Sequence, residues 1–194
     1  MSNEIYVGTK FETVFVKRQA PTDPQIATLV KWCRKFHELG LSPIYGAGSA
    51  GNLSVRTPRG FVITRTASFF ERIAEQDFVE VLSVHAERRQ VYVAGNHEPS
   101  SETQMHMALY RARADVNAIL HAHSDTILAN AARLGLPITE REMPYGTPEL
   151  GEEAVRAAGK GDFFVLRNHG FVAVGPTVEE AGQHVLDVLQ RLPK

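Results

Sequence analysis

Cysteine is nearly absent from this chain. Cys33 is the only one in 194 residues, which excludes an intramolecular disulfide and any cysteine-based zinc cluster and suits a reducing compartment. Any metal site must therefore be built from histidine and carboxylate. Long apolar runs are also missing. No stretch reaches the ~18 residues of a membrane-spanning helix, and the opening "MSNEIYVGTK" lacks the charged and then apolar regions of a secretory leader. Nor does charge of one sign prevail: Lys plus Arg number 21 against 22 for Asp plus Glu. Without a basic block or an aromatic-interleaved basic stripe, nucleic acid is a poor partner. Linkers, repeats and low-complexity tracts are absent as well. What remains is the expectation of one domain, soluble and cytoplasmic, whose 43% hydrophobic content suffices for a sizeable core.

Helical and strand patterns alternate along the chain. "DPQIATLVKWCRKFHELG" reads as a helix from Asp23 to Gly40, with Asp23 as cap, Pro24 at the first helical position and a terminal glycine. "NLSVRT", "GFVIT", "DFVEVLSV" and "QVYVAG" read as strands, the last two separated by the turn "HAERR". Helical periodicity returns over 101–113, 125–134, 149–159 and 177–191, with strands at 116–121 and on both sides of Asn168-His169-Gly170. This order predicts a three-layer α/β/α fold around a central sheet. Residues 46–51, "GAGSAG", match a dinucleotide fingerprint letter for letter, but a strand follows where that fingerprint needs a helix.

Two imidazoles, His121 and His123, stand where the apolar run "VNAIL" ends. On a strand, side chains at i and i+2 share a face ~6.6 Å apart, a span two imidazoles can close over one cation. The same pair also fits core-edge histidines satisfied by carbonyls. His169 in "LRNHGF" sits at a tight turn from which its ring can project from the sheet's end. Ser101 with Gln104 reads as a capping box that puts Glu102 at the first position of a helix, beside the positive end of its dipole. His106, one turn further on, shares the face of Glu102 and is assigned to packing or to support of the site. His37, His85, His97 and His184 read as helix-end, turn and helix-surface residues.

Taken together, "GNLS" (51–54), "VITRTAS" (62–68), "PSSE" (99–102), "HAH" (121–123) and "NHG" (168–170) resemble, in order and spacing, the class II aldolase and adducin head-domain family. In "PSSE" the chain is most like the fuculose-phosphate aldolases. The likeness runs from about Asp23 to Leu192, which makes 1–22 an N-terminal extension of a single domain over 1–194.

The resemblance implies a largely antiparallel sheet, a homo-oligomer of tetramer type and a zinc ion, or another divalent metal, held by His121, His123 and His169. Glu102 would be the fourth ligand at rest and the base in turnover, in a lyase that makes or breaks a carbon–carbon bond through a metal-stabilised enediolate. Gly51, Asn52, Thr66, Ser100 and Ser101 match positions that hold a substrate phosphate. Three departures bear on the substrate and the reaction. Arg65 and Ala67 stand where the family has proline and glycine, Glu98 puts a negative charge near the anion site, and Tyr145 is the only tyrosine in the shortened segment between "HAH" and "NHG". A decarboxylase, dehydratase or epimerase using the same logic, or a non-catalytic adducin-like module, stays open; bound metal separates the module from the enzymes.

Overall fold

The computed structural model describes residues 7–193. The first six residues, on which the leader reading partly rests, and Lys194 lie outside them. Strands β1 (Glu12–Lys17), β4 (Asn52–Thr57), β5 (Gly60–Thr64), β6 (Phe78–His85), β7 (Gln90–Ala94), β8 (Ala118–Ala122), β9 (Phe163–Leu166) and β10 (Gly170–Gly175) form one eight-stranded sheet in the order β1-β7-β6-β5-β4-β8-β10-β9. Every neighbouring pair is antiparallel except β1 with β7. A separate two-stranded hairpin, β2 (Ile44–Tyr45) with β3 (Gly48–Ser49), covers the "GAGS" stretch, and strand β4 follows it, so no dinucleotide-type helix is present there.

Helices cover both faces. Helices α1 (Ile26–Glu38), α3 (Asp125–Asn130) and α5 (Val178–Gln190) bury Leu29, Phe36, Ile127, Val178 and Val185 against Leu53, Val55, Leu120 and Ala173. Helices α2 (Thr103–Ala112) and α4 (Pro148–Ala158) bury Met105, Leu109, Leu150 and Ala154 against Phe61, Ile63, Ile119 and Val172 on the other side. Alternation along the strands produces this division, since neighbours such as Leu53 and Ser54 point to opposite faces. The result is the three-layer α/β/α architecture with a mostly antiparallel sheet. Among the described residues, no helix is long and apolar enough to cross a membrane.

Several boundaries differ from the sequence reading. Helix α1 begins at Ile26, not at Pro24; the Asp23 side chain instead accepts from Gln25 N–H at 2.9 Å and closes the turn before the helix. Its end matches the glycine signal. Gly40 at φ 69° gives its N–H to His37 and Leu41 returns its own to Phe36, satisfying two orphan carbonyls. Helix α3 stops at Asn130 and continues as turns rather than as helix to 134. Strand β1 has no counterpart in the sequence reading. It is an edge strand, with three of its six residues exposed and the rest only half-buried, so it lacks the apolar alternation of a core strand.

Candidate metal centre

The three histidines meet at one end of the sheet. His121 and His123 lie at the carboxyl end of β8, and His169 lies immediately before β10, its antiparallel neighbour. Asn52 opens β4 opposite His121 on the other side. Two glycines permit this crowding. A Cβ on Gly51 would lie 2.6 Å from the His121 carbonyl, and one on Gly170 would lie 2.8 Å from the His121 ring and 3.0 Å from that of His123. Asn168, at φ 56°, takes the left-handed turn that presents His169.

Candidate ligand nitrogens of His121, His123 and His169 all lie within 4.8 Å of one another. The Nε2 atoms of His121 and His123 are 3.2 Å apart, close to the ~3.3 Å expected of two ligands each ~2.0–2.1 Å from a tetrahedral zinc. The His121 Nδ1–H donates to the Phe171 carbonyl at 2.8 Å, the backing bond that orients an imidazole toward a metal. Glu102 completes the cluster from α2, with Oε2 2.9 Å from His121 Nε2 and Oε1 3.2 Å from His169 Nε2. Oε1 is buried without hydrogen-bond geometry to any group. A buried carboxylate oxygen in that state is costly unless a cation meets it. The donor set and this orphaned oxygen both fit a divalent metal.

Electrostatics support the same arrangement. Burial alone would push the Glu102 carboxyl up, but His121 and His169, with hydrogen bonds from His121 and Asn52, outweigh it and hold the group well below the ordinary carboxylate range. Burial works to lower His121, yet Glu102 and the Phe171 carbonyl leave it raised. His123 is held well below its usual value by burial and by the two neighbouring imidazoles. Without metal the cluster thus favours an ionised Glu102 beside a proton-holding His121, a proton that a metal would displace.

The capping box does not form. Glu102 occupies the cap position itself, Thr103 is the first helical residue, and no side chain caps α2. Gln104 instead donates to the Gly146 carbonyl at 3.0 Å. The physical reason is competition: the Glu102 carboxylate is drawn to His121, His169 and Asn52, so the local capping rule yields at the site.

Gly51, Asn52, Thr66, Ser100 and Ser101 all line one pocket together with Glu102, His123 and His169. The backbone amides of Ser100, Glu102, Thr103 and Thr66 bond to Thr64, to the Ser100 side chain and carbonyl, and to Glu98, so these four amides are already engaged within the loop. Asn52 is committed at both ends of its amide, donating to Glu102 Oε2 at 2.8 Å and facing His106 Nε2 at 2.6 Å. Arg65 turns its Nε to Asp77 at 2.8 Å and its Nη1 to the carbonyls of Thr66 and Ala67. Its guanidinium therefore braces the loop in which Ala67 holds φ 52°, a conformation that costs an L-residue roughly 1 kcal/mol. Glu98 is exposed and does not line the pocket. Tyr145 does line it, but its hydroxyl accepts from Val7 N–H at 2.9 Å and donates to the Gly8 carbonyl at 3.1 Å.

The sequence reading missed Ser54 and Tyr110, which join His106 and Asn52 beneath Glu102. A signal was present: Glu102, His106 and Tyr110 recur every four residues on one helical face, and Asn52 and Ser54 alternate on one strand face.

Known proteins resemble this chain in sequence and in fold. L-fuculose phosphate aldolase of Escherichia coli (strain K12) is 29% identical over 188 residues, covering 84% of this chain and 80% of that protein. A 3-oxo-tetronate 4-phosphate decarboxylase of Haemophilus influenzae is 32% identical over 176 residues, covering 80% and 79%. A solved L-fuculose 1-phosphate aldolase superposes with TM-score 0.71 at 26% identity over 88% of this chain and 84% of its own. The family profile described as "Class II Aldolase and Adducin N-terminal domain" matches residues 27–191, and the chain belongs to that family.

Proposed function

We propose that this chain is a zinc-dependent lyase of aldolase type, acting on a small phosphorylated sugar or hydroxy-carbonyl compound. One observation carries the reading: three imidazoles and a buried carboxylate, one of whose oxygens lacks a hydrogen bond, converge at the wall of a pocket that carries serine and threonine hydroxyls. Zinc, when bound, supplies a Lewis acid that lowers the cost of negative charge on a carbonyl oxygen. His121, His123 and His169 would hold it as neutral donors.

The remaining steps belong to the chain's own residues. Ser100 and Ser101 hold the substrate's phosphate through their hydroxyls, and Gly51, Asn52 and Thr66 shape the wall on which it rests. This leaves the carbon next to the carbonyl facing Glu102. Glu102, ionised because its neighbours hold its carboxyl low, removes the proton at that carbon through Oε1. The reading extends to a single domain over 1–194, a cytoplasmic setting and a homotetramer, the last to be checked by light scattering.

A second reading has its own support. The Tyr145 hydroxyl is tied to the backbone of Val7 and Gly8, so its proton is not directed at an aldehyde oxygen. Decarboxylation of a phosphorylated 3-oxo acid needs no such acid, and the Haemophilus relative is named for that reaction. A screen of metal-replete protein against phosphorylated ketoses and 3-oxo acids decides between them: a released aldehyde supports the aldolase, carbon dioxide the decarboxylase. If stoichiometric metal is absent and neither product forms, the non-catalytic adducin-like module replaces both.

A further inference from the structure

Behind the metal ligands runs a line of buried polar contacts that the proposed reaction does not use directly. The Asn52 amide bridges Glu102 Oε2 at 2.8 Å and His106 Nε2 at 2.6 Å. His106 Nδ1 meets the Ser54 hydroxyl at 2.6 Å, and that hydroxyl meets Tyr110 at 2.8 Å. His106 and Ser54 are fully buried, and Tyr110 is nearly so.

We propose that His106 is a positioning residue for Glu102, acting through a one-way chain of hydrogen bonds from Tyr110 through Ser54, His106 and Asn52 to the carboxylate. This rests on Glu102 being the base and resting metal ligand. The direction is forced link by link. An ionised carboxylate only accepts, so Asn52 must turn its Nδ2–H2 toward Glu102 and its Oδ1 toward His106. The His106 Nε2 therefore carries a hydrogen and donates to that oxygen. The His106 ring is fully buried and its two nitrogens face only the Asn52 amide and the Ser54 hydroxyl, with no carboxylate bonded to it, so the ring is neutral and its Nδ1 can only accept. Ser54 gives its single proton there. Tyr110, 2.8 Å from Ser54 and 3.4 Å from the Asn117 carbonyl, gives its proton to the nearer oxygen.

The chain fixes which carboxylate oxygen does which job. Asn52 holds Oε2 at 2.8 Å, while Oε1, 3.2 Å from His169 Nε2 but without hydrogen-bond geometry, is left for the metal and the substrate proton. An unconstrained Asn52 can flip and present Oδ1 to the carboxylate, a repulsion that would push Glu102 out of place. His106, with one hydrogen on one known nitrogen, prevents the flip.

The test uses full-length protein, selectively labelled with 15N-histidine. In the metal-free form at pH 7, long-range 1H–15N spectra should show His106 as the Nε2–H tautomer; an Nδ1–H tautomer or an imidazolium overturns the proposal. Zinc affinity by chelator competition is the second readout. His106→Gln keeps a donor toward Asn52 and should bind zinc within about 3-fold of the unmodified protein, whereas His106→Leu should weaken it by about 10- to 100-fold. Equal affinity in the Leu variant, or equal loss in both, reduces His106 to packing and overturns the proposal. With a substrate in hand, His106→Leu should lower kcat and leave KM nearly unchanged; a rise in KM with kcat intact counts against it. If the unmodified protein binds no zinc, the functional reading fails, while the tautomer still decides the chain.

Discussion

The two faces of this sheet obey different rules. On β4, Leu53 and Val55 join the apolar core beneath α1 and α5, while Asn52 and Ser54 turn toward α2 and bond to Glu102, His106 and Tyr110. On β8, Leu120 and Ala122 take the first side, whereas His121 meets Glu102 on the second. The α2 face is not polar throughout: Phe61, Ile63, Met105 and Leu109 pack there as an ordinary core. Elsewhere buried charge occurs as single groups, Glu80 tied to Arg59 and Glu153 to Arg141 and Arg156, whereas beneath the histidines the buried polar groups form a connected column. Each such group costs stability unless paired, so the fold concentrates that cost at the candidate site and draws its stability from the rest.

The largest effect expected on the polar side follows Glu102→Gln. Shape and one acceptor oxygen persist but basicity is lost, so zinc should stay bound while turnover falls by about two to four orders of magnitude. Near-normal turnover would leave Glu102 a helix-start residue and shift the base elsewhere. His121→Ala with His123→Ala should instead empty the metal site; stoichiometric zinc in that double variant by elemental analysis would refute the ligand set. On the apolar side, Leu53→Ala should cost about 2–5 kcal/mol in urea unfolding while kcat of the folded enzyme changes by less than about 3-fold. If Leu53→Ala damaged catalysis as much as Ser54→Ala, the division between faces would not hold.

Most of the fold was legible because periodicity reports burial. The strands at 52–57, 60–64 and 170–175 carry apolar runs or alternation, and α1 and α5 carry helical spacing, ended in α1 by Gly40 and started in α5 by the Thr177 cap. Strand β1 was hidden, since an edge strand that is half-exposed has no pattern to read. The convergence of the three histidines was legible through family likeness to "HAH" and "NHG", not through spacing alone, since His121 and His169 are 48 positions apart in sequence and only the β8–β10 pairing joins them. The capping box at 101–104 misled for the opposite reason. Its letters satisfy a local rule, and the rule lost to long-range partners at His121 and Gly146.

A smaller effect separates the faces by pH. In metal-free protein His106 sits at about 3 and His123 well below its usual value, both below the ~6.5 of an unfolded histidine. As pH falls from 6.5, the unfolded chain takes up protons that the folded one refuses, so stability declines. The raised His121 works the other way: its contribution is complete below 6.5 and is lost as pH rises through its folded value. Glu102, held low, loses its contribution only when pH falls through that depressed value, so it leaves the 7-to-5 interval unaffected. With two groups against one, the urea midpoint in the presence of a chelator should drop between pH 7 and pH 5, and His106→Gln should shrink the drop. A midpoint that rises across this interval would contradict the burial of these rings as neutral bases.

The smallest effect is expected at the anion end of the pocket, where the groups are hydroxyls rather than buried charges. Ser101→Ala removes one donor from a substrate phosphate that Ser100 still contacts, and the backbone there is already fixed by the packing of Gly146 against the Ser101 carbonyl, which a Cβ on Gly146 would approach to 2.7 Å. The pocket should therefore keep its shape. A phosphate away from the reacting carbon carries the same charge in ground and transition states, so the lost contact weakens both equally. KM should rise by roughly 3- to 10-fold with kcat almost unchanged, the size of one hydrogen bond to a charged group partly replaced by water. Inorganic phosphate should compete with substrate in the unmodified enzyme and compete less well in the variant. An enzyme that turns over only uncharged substrates and ignores phosphate would remove the anion site. If Ser101→Ala lowered kcat and left KM alone, the hydroxyl would have to act on the reacting atoms beside Glu102, and the line between the pocket's holding end and its chemical end would need to be redrawn.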